Sequence, residues 1–392
     1  MIDPDSGTGI DWTMYARELA AELVAAGDVR DPIWHAVLAG VPRHVLVPRF
    51  HLQREDGSWR AVEATDPTYW PGVYANQTLI TALIEVRTAA GRQYVPASSS
   101  TEPSLMVGML ELLDLREEHR VLEIGTGTGY NCALLSHRLG DRQVYSLDLR
   151  PELVELARKR LAAAGYRPTL AARDGAIGFA EHAPYDRIVA TCAVPAIPPA
   201  WLDQLTPGGL LIADIQGSLY AGNLVLLRGA GGGRATGTFC PGWAGFMPMR
   251  HTLAAPDLAP PPRVAEDPAV RPTELGPDLL ADPLGMFLAQ LHLPAGTVQR
   301  MVPRPGEGLV RQLTAPDGSW CELPENGAVV GEAGPVRLWE RVEAGVAWWR
   351  RAGQPDWPRF AYHAEGASQR IVYDDDAYPA SWELDTTEVS PA

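Results

Sequence analysis

The chain has 392 residues, of which 46% are hydrophobic, and this is enough apolar material for one large or two smaller folded domains. It carries 48 acidic and 33 basic residues, a formal net charge of −15. Binding to nucleic acid needs a basic surface, so this balance argues against a nucleic-acid partner. The four cysteines are widely spaced with no C-x-x-C pair, which argues against a zinc site and favours a reducing compartment.

The N-terminus lacks the basic and apolar regions of a signal peptide, and no apolar run approaches the length of a membrane span. We therefore expect a cytoplasmic protein with no metal site and no membrane partner. Helical periodicity predicts a first helix over residues 11–27, ending near Gly27, and a second helix within 31–50. Residues 51–100 are less regular, with strand candidates at 78–86. Residues 1–103 are interpreted as an N-terminal extension that supplies elements on the substrate side.

A cluster of hydroxyl side chains precedes Pro103 and is made of Ser98, Ser99, Ser100 and Thr101. Proline suits the first turn of a helix, and free N–H groups and hydroxyls at such a turn can hold an anion. The cluster therefore predicts a site for a carboxylate. The alternative is that Thr101 or Ser100 simply caps the helix.

A glycine-rich turn follows the next apolar run, which ends at Glu123. Glycines occupy positions 125, 127 and 129, Thr126 lies between the first two, and a helical stretch begins at Tyr130. Strand, glycine turn and helix are the arrangement in which a doubly wound sheet binds a nucleotide-sized ligand. A dinucleotide fingerprint would need glycine where Tyr130 stands, which disfavours an NAD-dependent oxidoreductase. The remaining alternative is a tight turn that binds nothing.

Two acidic residues follow the next two apolar runs. Asp148 lies 19 residues after Gly129, the distance at which a carboxylate is expected to accept hydrogen bonds from ribose hydroxyls. Its neighbour Leu149 is included in the predicted site, and the alternative role for Asp148 is a helix N-cap. Asp174, followed by Gly175, is placed to accept a hydrogen bond from an adenine amino group, or to form an Asx turn.

Further apolar runs alternate with helical segments, which favours a parallel α/β sheet. We expect the nucleotide-binding core to occupy residues 104–255, with a hairpin around Gly231-Gly232-Gly233 at its end. A proline-rich stretch at 256–277 is interpreted as a linker. Residues 278–392 are predicted to form a C-terminal accessory α+β domain, with a helix over 337–352 and a strand over 369–373.

The motifs occur in an order that is more specific than any one of them. In chain order they are Val41-Pro42-Arg43-His44, Tyr74-Ala75-Asn76, Thr101-Glu102-Pro103, Glu123 to Tyr130, Asp148, Asp174-Gly175, Ala183-Pro184-Tyr185-Asp186 and Thr206-Pro207-Gly208-Gly209. Over roughly residues 11–228 this set resembles the protein-L-isoaspartate O-methyltransferase family. The resemblance implies a class I methyltransferase fold, a Rossmann-like doubly wound sheet, with S-adenosyl-L-methionine as cofactor. It also implies methyl transfer to a side-chain carboxylate in a peptide or protein.

The chain departs from the family pattern in the hydroxyl at Thr101, where serine is usual, in its longer aromatic region before residue 97 and in its long C-terminal part. These departures resemble specialised members that act in the biosynthesis of ribosomal peptides such as lanthipeptides and graspetides. Such a member would methylate an Asp or isoAsp of a macrocyclic precursor peptide, leading to aspartimide and isoaspartate. The alternatives are a general repair methyltransferase acting on isoaspartyl proteins and a catalytically inactive peptide-binding module.

A chain with a net charge of −15 repels an acidic substrate at long range, although salt screens this repulsion beyond about 10 Å. Either the pocket is locally basic, for example through Arg43 or Arg60, or the recognised part of the substrate has few free acids.

Overall fold

The computed structural model describes residues 10–88, 91–254, 263–264, 266–275, 282–304, 308–324 and 329–387. The helices are α1 Trp12–Ala26, α2 Pro32–Gly40, α3 Arg43–Leu46, α4 Tyr69–Val73, α5 Pro103–Leu112, α6 Tyr130–Leu139, α7 Pro151–Ala163, α8 Pro199–Gln204, α9 Pro283–Gln290 and α10 Leu338–Arg351. The strands are β1 Arg49–Gln53, β2 Trp59–Glu63, β3 Leu79–Thr88, β4 Gly91–Ser100, β5 Val121–Ile124, β6 Val144–Asp148, β7 Thr169–Ala172, β8 Tyr185–Val194, β9 Leu205–Gln216, β10 Gly222–Gly231, β11 Arg234–Phe239, β12 Ala269–Pro272, β13 Val298–Arg304, β14 Gly308–Thr314, β15 Trp320–Pro324, β16 Val329–Ala333, β17 Phe360–Glu365, β18 Ser368–Tyr373 and β19 Ala380–Glu383.

The first helix confirms the prediction made for residues 11–27. The Asp11 side chain caps its start by accepting from the Thr13 N–H, and Gly27 ends it in the left-handed conformation with φ of 82°. The second prediction was only partly right, because α2 stops at Gly40. Val41 is extended and precedes Pro42, and a residue before proline is disfavoured in helical conformation.

Residues 49–100 are more regular than the sequence predicted, because they form a four-stranded sheet in the order β2-β1-β3-β4. Its long hairpin pairs β3 with β4, so that Leu79 lies opposite Ser100. The predicted hydroxyl cluster therefore begins on a paired strand. Ser98 and Ser100 are buried, and Ser99, whose side chain points to the other face, is half-buried.

The main sheet has ten strands in the order β19-β18-β17-β11-β10-β9-β8-β5-β6-β7. Strands β9, β8, β5, β6 and β7 are parallel neighbours, and the order of connection reverses on either side of β5. The crevice outside the carboxyl ends of such strands is where doubly wound sheets bind ligands. The predicted α/β class and the predicted hairpin after β9 are both confirmed, since β10 and β11 pair around Gly231.

The last strands of the chain continue the main sheet. Strand β17 pairs antiparallel with β11, and β18 and β19 follow it. Along the chain, the segment between β11 and β17 contains a five-stranded sheet in the order β12-β16-β15-β14-β13, together with helices α9 and α10. One hydrophobic cluster joins Ile188 and Trp201 of the parallel core to Trp339 and Trp349 of α10. Much of the predicted linker at 256–277 lies outside the described residues, but its residues 269–272 form β12. The division at 278 remains a prediction.

Within the described residues, no helix is long and apolar enough to cross a bilayer. No cluster of three or more His, Cys, Asp or Glu side chains in this part of the chain could hold a metal ion. Cys132, Cys192, Cys240 and Cys321 are all free thiols.

Gln369 on β18 ties the C-terminal strands to the carboxyl edge of the core. Its buried amide oxygen accepts from the Ile197 N–H at 3.0 Å and from the Tyr362 hydroxyl at 2.5 Å, and its amide nitrogen donates to the Ile197 carbonyl at 2.6 Å. Ile197 follows the carboxyl end of β8, so this amide joins two distant parts of the sheet.

We expect Gln369→Leu to lower the free energy of unfolding by roughly 1–3 kcal/mol, because it leaves the buried Ile197 carbonyl without a partner, whereas the Ile197 N–H keeps the Tyr362 hydroxyl at 3.2 Å. The measurement is urea unfolding followed by tryptophan fluorescence. Gln53→Leu is the control, since Gln53 is exposed and makes one long hydrogen bond, at 3.4 Å, to Gly57. Equal stability of the two variants would contradict the anchoring role of Gln369.

Candidate functional site

The turn after β5 depends on its three glycines. Gly125, Gly127 and Gly129 have φ values of 103°, 51° and 86°, which L residues with side chains rarely adopt. A Cβ at Gly125 would overlap the hydroxyl of Thr191, and one at Gly129 would lie 3.1 Å from Leu161 Cγ. The N–H groups of Gly125 and Thr126 donate to the Leu147 carbonyl at 2.8 and 2.9 Å, which holds the turn against the end of β6.

Glu123 lies buried beneath this turn. Its carboxylate accepts from Asn131 Nδ2 at 2.7 Å and from the Ser146 hydroxyl, which is in turn 2.7 Å from Thr126 Oγ1. Burial raises the pKa of Glu123 to about 7, and its two hydrogen bonds oppose that rise. Through these hydrogen bonds, Glu123 and Thr126 fix the conformation of the turn. Their predicted contact with a cofactor stays a prediction.

Asp148, at the end of β6, receives two backbone hydrogen bonds. Its Oδ2 accepts from the Gly127 N–H at 2.9 Å, and its Oδ1 accepts from the Arg150 N–H at 3.2 Å. The second bond orients the chain just before α7, but the N-cap of α7 is Arg150 and no side chain caps it, so the capping alternative for Asp148 is wrong. A carboxylate has about four acceptor positions, so lone pairs remain for a diol. Asp148 and its neighbour Leu149 are half-buried at the crevice, and both fit the predicted ribose contact.

Asp174 lies at the end of β7 and also has two partners. Its Oδ1 accepts from the Ala176 N–H at 2.9 Å, which is the Asx turn considered as the alternative. Its Oδ2 lies 2.9 Å from His251 Nδ1. Gly175 is buried, and a Cβ there would meet Ile124 at 2.6 Å and the Met249 sulfur at 3.3 Å. Gly175 therefore lets this turn approach β5, and the predicted adenine contact of Asp174 must share its carboxylate with a histidine.

The hydroxyl cluster lies directly against the glycine turn. A Cβ built on Gly127 would lie 3.5 Å from the Ser99 carbonyl oxygen and 3.7 Å from Ser98 Oγ. The structure does not show the capping alternative, because the N-cap of α5 is Glu102 and no side chain caps it there. The Ser104 N–H instead donates to Asn76 Oδ1 at 3.0 Å. The Ser100 hydroxyl is buried and has no partner among the described residues.

Arg43 holds the hydroxyl cluster in place from behind. Its fully buried guanidinium donates to the carbonyls of Ala75, Gln77 and Thr101 at 2.9, 3.2 and 3.2 Å, and it lies over the Tyr130 ring. Burial lowers the pKa of Arg43. Its donors point to backbone oxygens, so Arg43 positions the loop that begins at Ser98 and is not a surface charge.

A loop after β11 crosses the same edge of the sheet, and no sequence pattern predicted it. Backbone hydrogen bonds join Ala193 to Met247 at 2.9 Å and Met249 to Ala193 at 2.8 Å. Arg250 then donates to the Ala97 carbonyl at 2.6 Å, and His251 reaches Asp174. The loop is rich in Gly and Pro and has no periodicity, so no local signal marks Arg250 or His251 as part of a site.

Two further residues were missed at the ends of β8 and β9. Burial raises the pKa of the Cys192 thiol to about 12, and the negative charges of Asp148, Asp214 and Asp174 add to that rise. Asp148, Asp174 and Asp214 therefore all lie near enough to Cys192 to influence its thiol. Asp214 is fully buried, and its Oδ2 accepts from the Phe246 N–H at 2.8 Å, whereas its Oδ1 has no partner among the described residues. A signal did exist, since Asp214 is an acid that follows the apolar run at 210–213.

The strand order, the glycine turn after β5 and the acids that end β6 and β7 together define the class I methyltransferase fold. Residues 79–232 match the family model described as Protein-L-isoaspartate(D-aspartate) O-methyltransferase.

Relatives named protein-L-isoaspartate O-methyltransferase include one from Ignicoccus hospitalis, 32% identical over 51% of this chain and 81% of its own length. Another, from Methanosarcina mazei, is 42% identical over 29% of this chain and 47% of its own length. A solved structure of the same description covers 93% of this chain and 98% of its own, with 20% identity and a TM-score of 0.49. The chain belongs to the protein-L-isoaspartate O-methyltransferase family. It spans about half the length of the first relatives it matches.

The buried carboxyl of Asp214 predicts a pH-dependent stability. Burial raises its pKa from 3.8 to about 7, so between these values the folded protein holds a proton that the unfolded chain has lost. The contribution of this group to stability therefore falls as the pH rises from 4 to 7. Asn keeps an oxygen for the Phe246 N–H but cannot ionise. We expect Asp214→Asn to gain roughly 2–4 kcal/mol relative to the wild type between pH 5 and pH 8.

The measurement is urea unfolding of both proteins at the two pH values, and only the change in their difference is used. Asp28→Asn, in the exposed turn after α1, is the control. Stability profiles for Asp214→Asn and the wild type that stay parallel across this pH range would show that Asp214 does not hold a proton in the folded state.

Proposed function

We propose that the protein is an S-adenosyl-L-methionine-dependent carboxyl O-methyltransferase that methylates an isoaspartyl carboxylate in a peptide or protein. One observation carries the proposal: the hydroxyl-bearing strand end at Ser98 and Ser99 packs against Gly127 of the glycine turn. A carboxylate held at the first would therefore lie beside a cofactor held at the second. The names of the relatives support the same acceptor.

The residues of the crevice fit this cofactor. The glycines at 125, 127 and 129 offer backbone without side chains, Asp148 keeps acceptor positions for a ribose diol, and we assign the adenine amino group to Asp174. When bound, S-adenosyl-L-methionine would supply an electrophilic methyl group on its sulfonium. Glu123 and Thr126 support the turn, and Leu149 and Gly175 flank the two acids.

The acceptor needs orientation more than activation. A carboxylic acid with an ordinary pKa near ~4 is already a carboxylate at neutral pH, so no base has to remove a proton. Correct positioning of two reactants contributes up to roughly 7–11 kcal/mol in favourable models. We assign this positioning to the hydroxyls of Ser98, Ser99, Ser100 and Thr101. In the ester product, the next backbone nitrogen attacks the carbonyl and methanol leaves, which closes a succinimide without the enzyme.

A second candidate is methylation of one defined Asp in a ribosomally made, macrocyclic precursor peptide. The observation that favours it lies outside the family match, which ends at residue 232. The loop that carries Arg250 and His251 enters the crevice from beyond that boundary, and β17 to β19 extend the sheet from which the loop leaves. A site bordered by elements beyond the family match suits a substrate of fixed shape, such as a macrocycle.

The two candidates differ in their substrates. We expect the protein to bind S-adenosyl-L-homocysteine in calorimetry and to methylate a synthetic linear peptide with one isoaspartyl residue, but not its Asp counterpart. Mass spectrometry follows the gain of a methyl group and the later loss of methanol. Methylation of a macrocyclic Asp peptide alone would favour the second candidate. A protein that binds no cofactor would be the inactive binding module.

The hydroxyl of Thr101 is expected to act on turnover and not on cofactor binding. A hydrogen bond to a charged group contributes about 1.5–3 kcal/mol, so Thr101→Val should lower turnover roughly 10- to 100-fold and leave affinity for S-adenosyl-L-homocysteine unchanged. Thr101→Ser keeps the hydroxyl and should stay close to wild type. Full turnover in the valine variant would remove Thr101 from the acceptor site.

A further inference from the structure

The crevice presents a charge problem for an anionic substrate. Asp148 accepts from the N–H of Gly127, the glycine that lies against Ser98 and Ser99, and Asp174 follows the end of the next strand, β7. The chain as a whole carries a net charge of −15. A second carboxylate brought close to these groups is repelled unless a cation stands beside it.

The two arginines that the sequence suggested for this purpose are already engaged. Arg43 is fully buried and gives its donors to three backbone carbonyls. Arg60 forms an ion pair with Asp66, next to the start of α4 and away from the crevice. Neither presents a free charge to a substrate.

Two other arginines near the crevice also have acidic partners. Arg150 Nε donates to Glu152 at 2.6 Å. Arg173 makes a two-point contact with Glu181 at 2.9 and 3.0 Å. A guanidinium held by a carboxylate on its own surface has little charge left to offer to a ligand.

Arg250 differs from these four. One terminal nitrogen of its guanidinium donates to the carbonyl of Ala97 at 2.6 Å, and Ala97 is the residue before Ser98. Among the residues that the structure describes, no carboxylate lies within ion-pair distance of it. The pKa of Arg250 is lowered by burial and by Arg150 and raised by Asp148, so its charge is felt at the predicted ribose contact as well.

The loop holds Arg250 on both sides. On one side, backbone hydrogen bonds attach Met247 and Met249 to Ala193 at the end of β8. On the other side, His251 contacts Asp174. The side chain is therefore held beside the residue that precedes the hydroxyl cluster, and a substrate does not have to order a free arginine.

We propose that Arg250 binds the acceptor carboxylate and is a specificity-determining residue of the site. The proposal rests on the proposed function. A guanidinium has five N–H donors in a planar fork, and the single bond to Ala97 leaves donors for a carboxylate. Arg250 would then hold the acceptor beside Ser98, offset the repulsion from Asp148 and Asp174, and exclude a neutral carboxamide of the same shape.

The test compares two peptides that differ only in the acceptor group. One is a linear peptide with an isoaspartyl residue, and the other carries a carboxamide in place of that residue's free carboxylate. Affinities are measured by calorimetry with protein saturated by S-adenosyl-L-homocysteine. The wild type should prefer the acid, and Arg250→Gln should lose roughly 10- to 100-fold in affinity for the acid while its affinity for the carboxamide stays unchanged. Arg250→Lys should fall between the two, because lysine keeps the charge but not the fork.

Arg228→Gln is the matched control. Arg228, on β10, likewise donates to one backbone carbonyl, that of Gly208 at 3.1 Å. Its side chain is exposed and lies beside the amino end of β9, not at the crevice. In methyl-transfer assays the loss in Arg250→Gln should appear mainly as a higher KM, since the hydroxyls are intact.

Three results would overturn the role of Arg250: equal affinity of Arg250→Gln and wild type for the acid, equal loss for both peptides, or a wild type that binds neither peptide. The proposed function fails separately. A wild type that prefers the acid through Arg250 but transfers no methyl group would contradict methyl transfer and support the binding role.

Discussion

The three glycines of the turn after β5 let the backbone pack closely against its neighbours, and the rest of the crevice depends on this. Gly125 lies against Thr191 of β8, Gly129 lies against Leu161 of α7, and Gly127 lies beneath the end of β4. Two N–H groups of the turn are bonded to the end of β6, and a third is bonded to Asp148. The same backbone thus brings together the ends of three parallel strands and a strand of a separate sheet, and larger residues would push these apart.

Local features of the chain were predictable because they depend on neighbouring residues. The Asp11 cap and Gly27 delimit α1, and the glycines at 231–233 turn β10 into β11. The glycine turn and the acids at 148 and 174 follow from spacing along consecutive strands. Of their alternative roles, the Asx turn at Asp174 is observed, whereas Asp148 does not cap α7. A carboxylate has enough acceptor positions to form an Asx turn and still accept from a ligand.

Long-range pairing was not predictable from the chain alone. The pairing of β3 with β4 places the serines on a strand, and nothing in Ser98-Ser99-Ser100 favours a strand by itself. Strand β17 joins β11 across more than a hundred residues, and its own pattern gives no partner. Arg250 reaches Ala97 only because the loop is fixed to Ala193. Each of these depends on which edges are free once the core has formed, and a window of sequence does not contain that information.

The C-terminal strands affect the crevice through position and not through contact. Without β17, strand β11 would be an exposed edge, and the loop that starts at its end would leave from a strand paired on one side only. Gln369 adds a second connection, because it holds the backbone of Ile197 just beyond the carboxyl end of β8. Ala193, to which the Arg250 loop is bonded, lies in that same strand end. Residues from Phe360 onward therefore pair with the strand from which the loop leaves and hold the backbone just beyond the strand end to which the loop is bonded, which gives this part of the chain a physical route to the crevice.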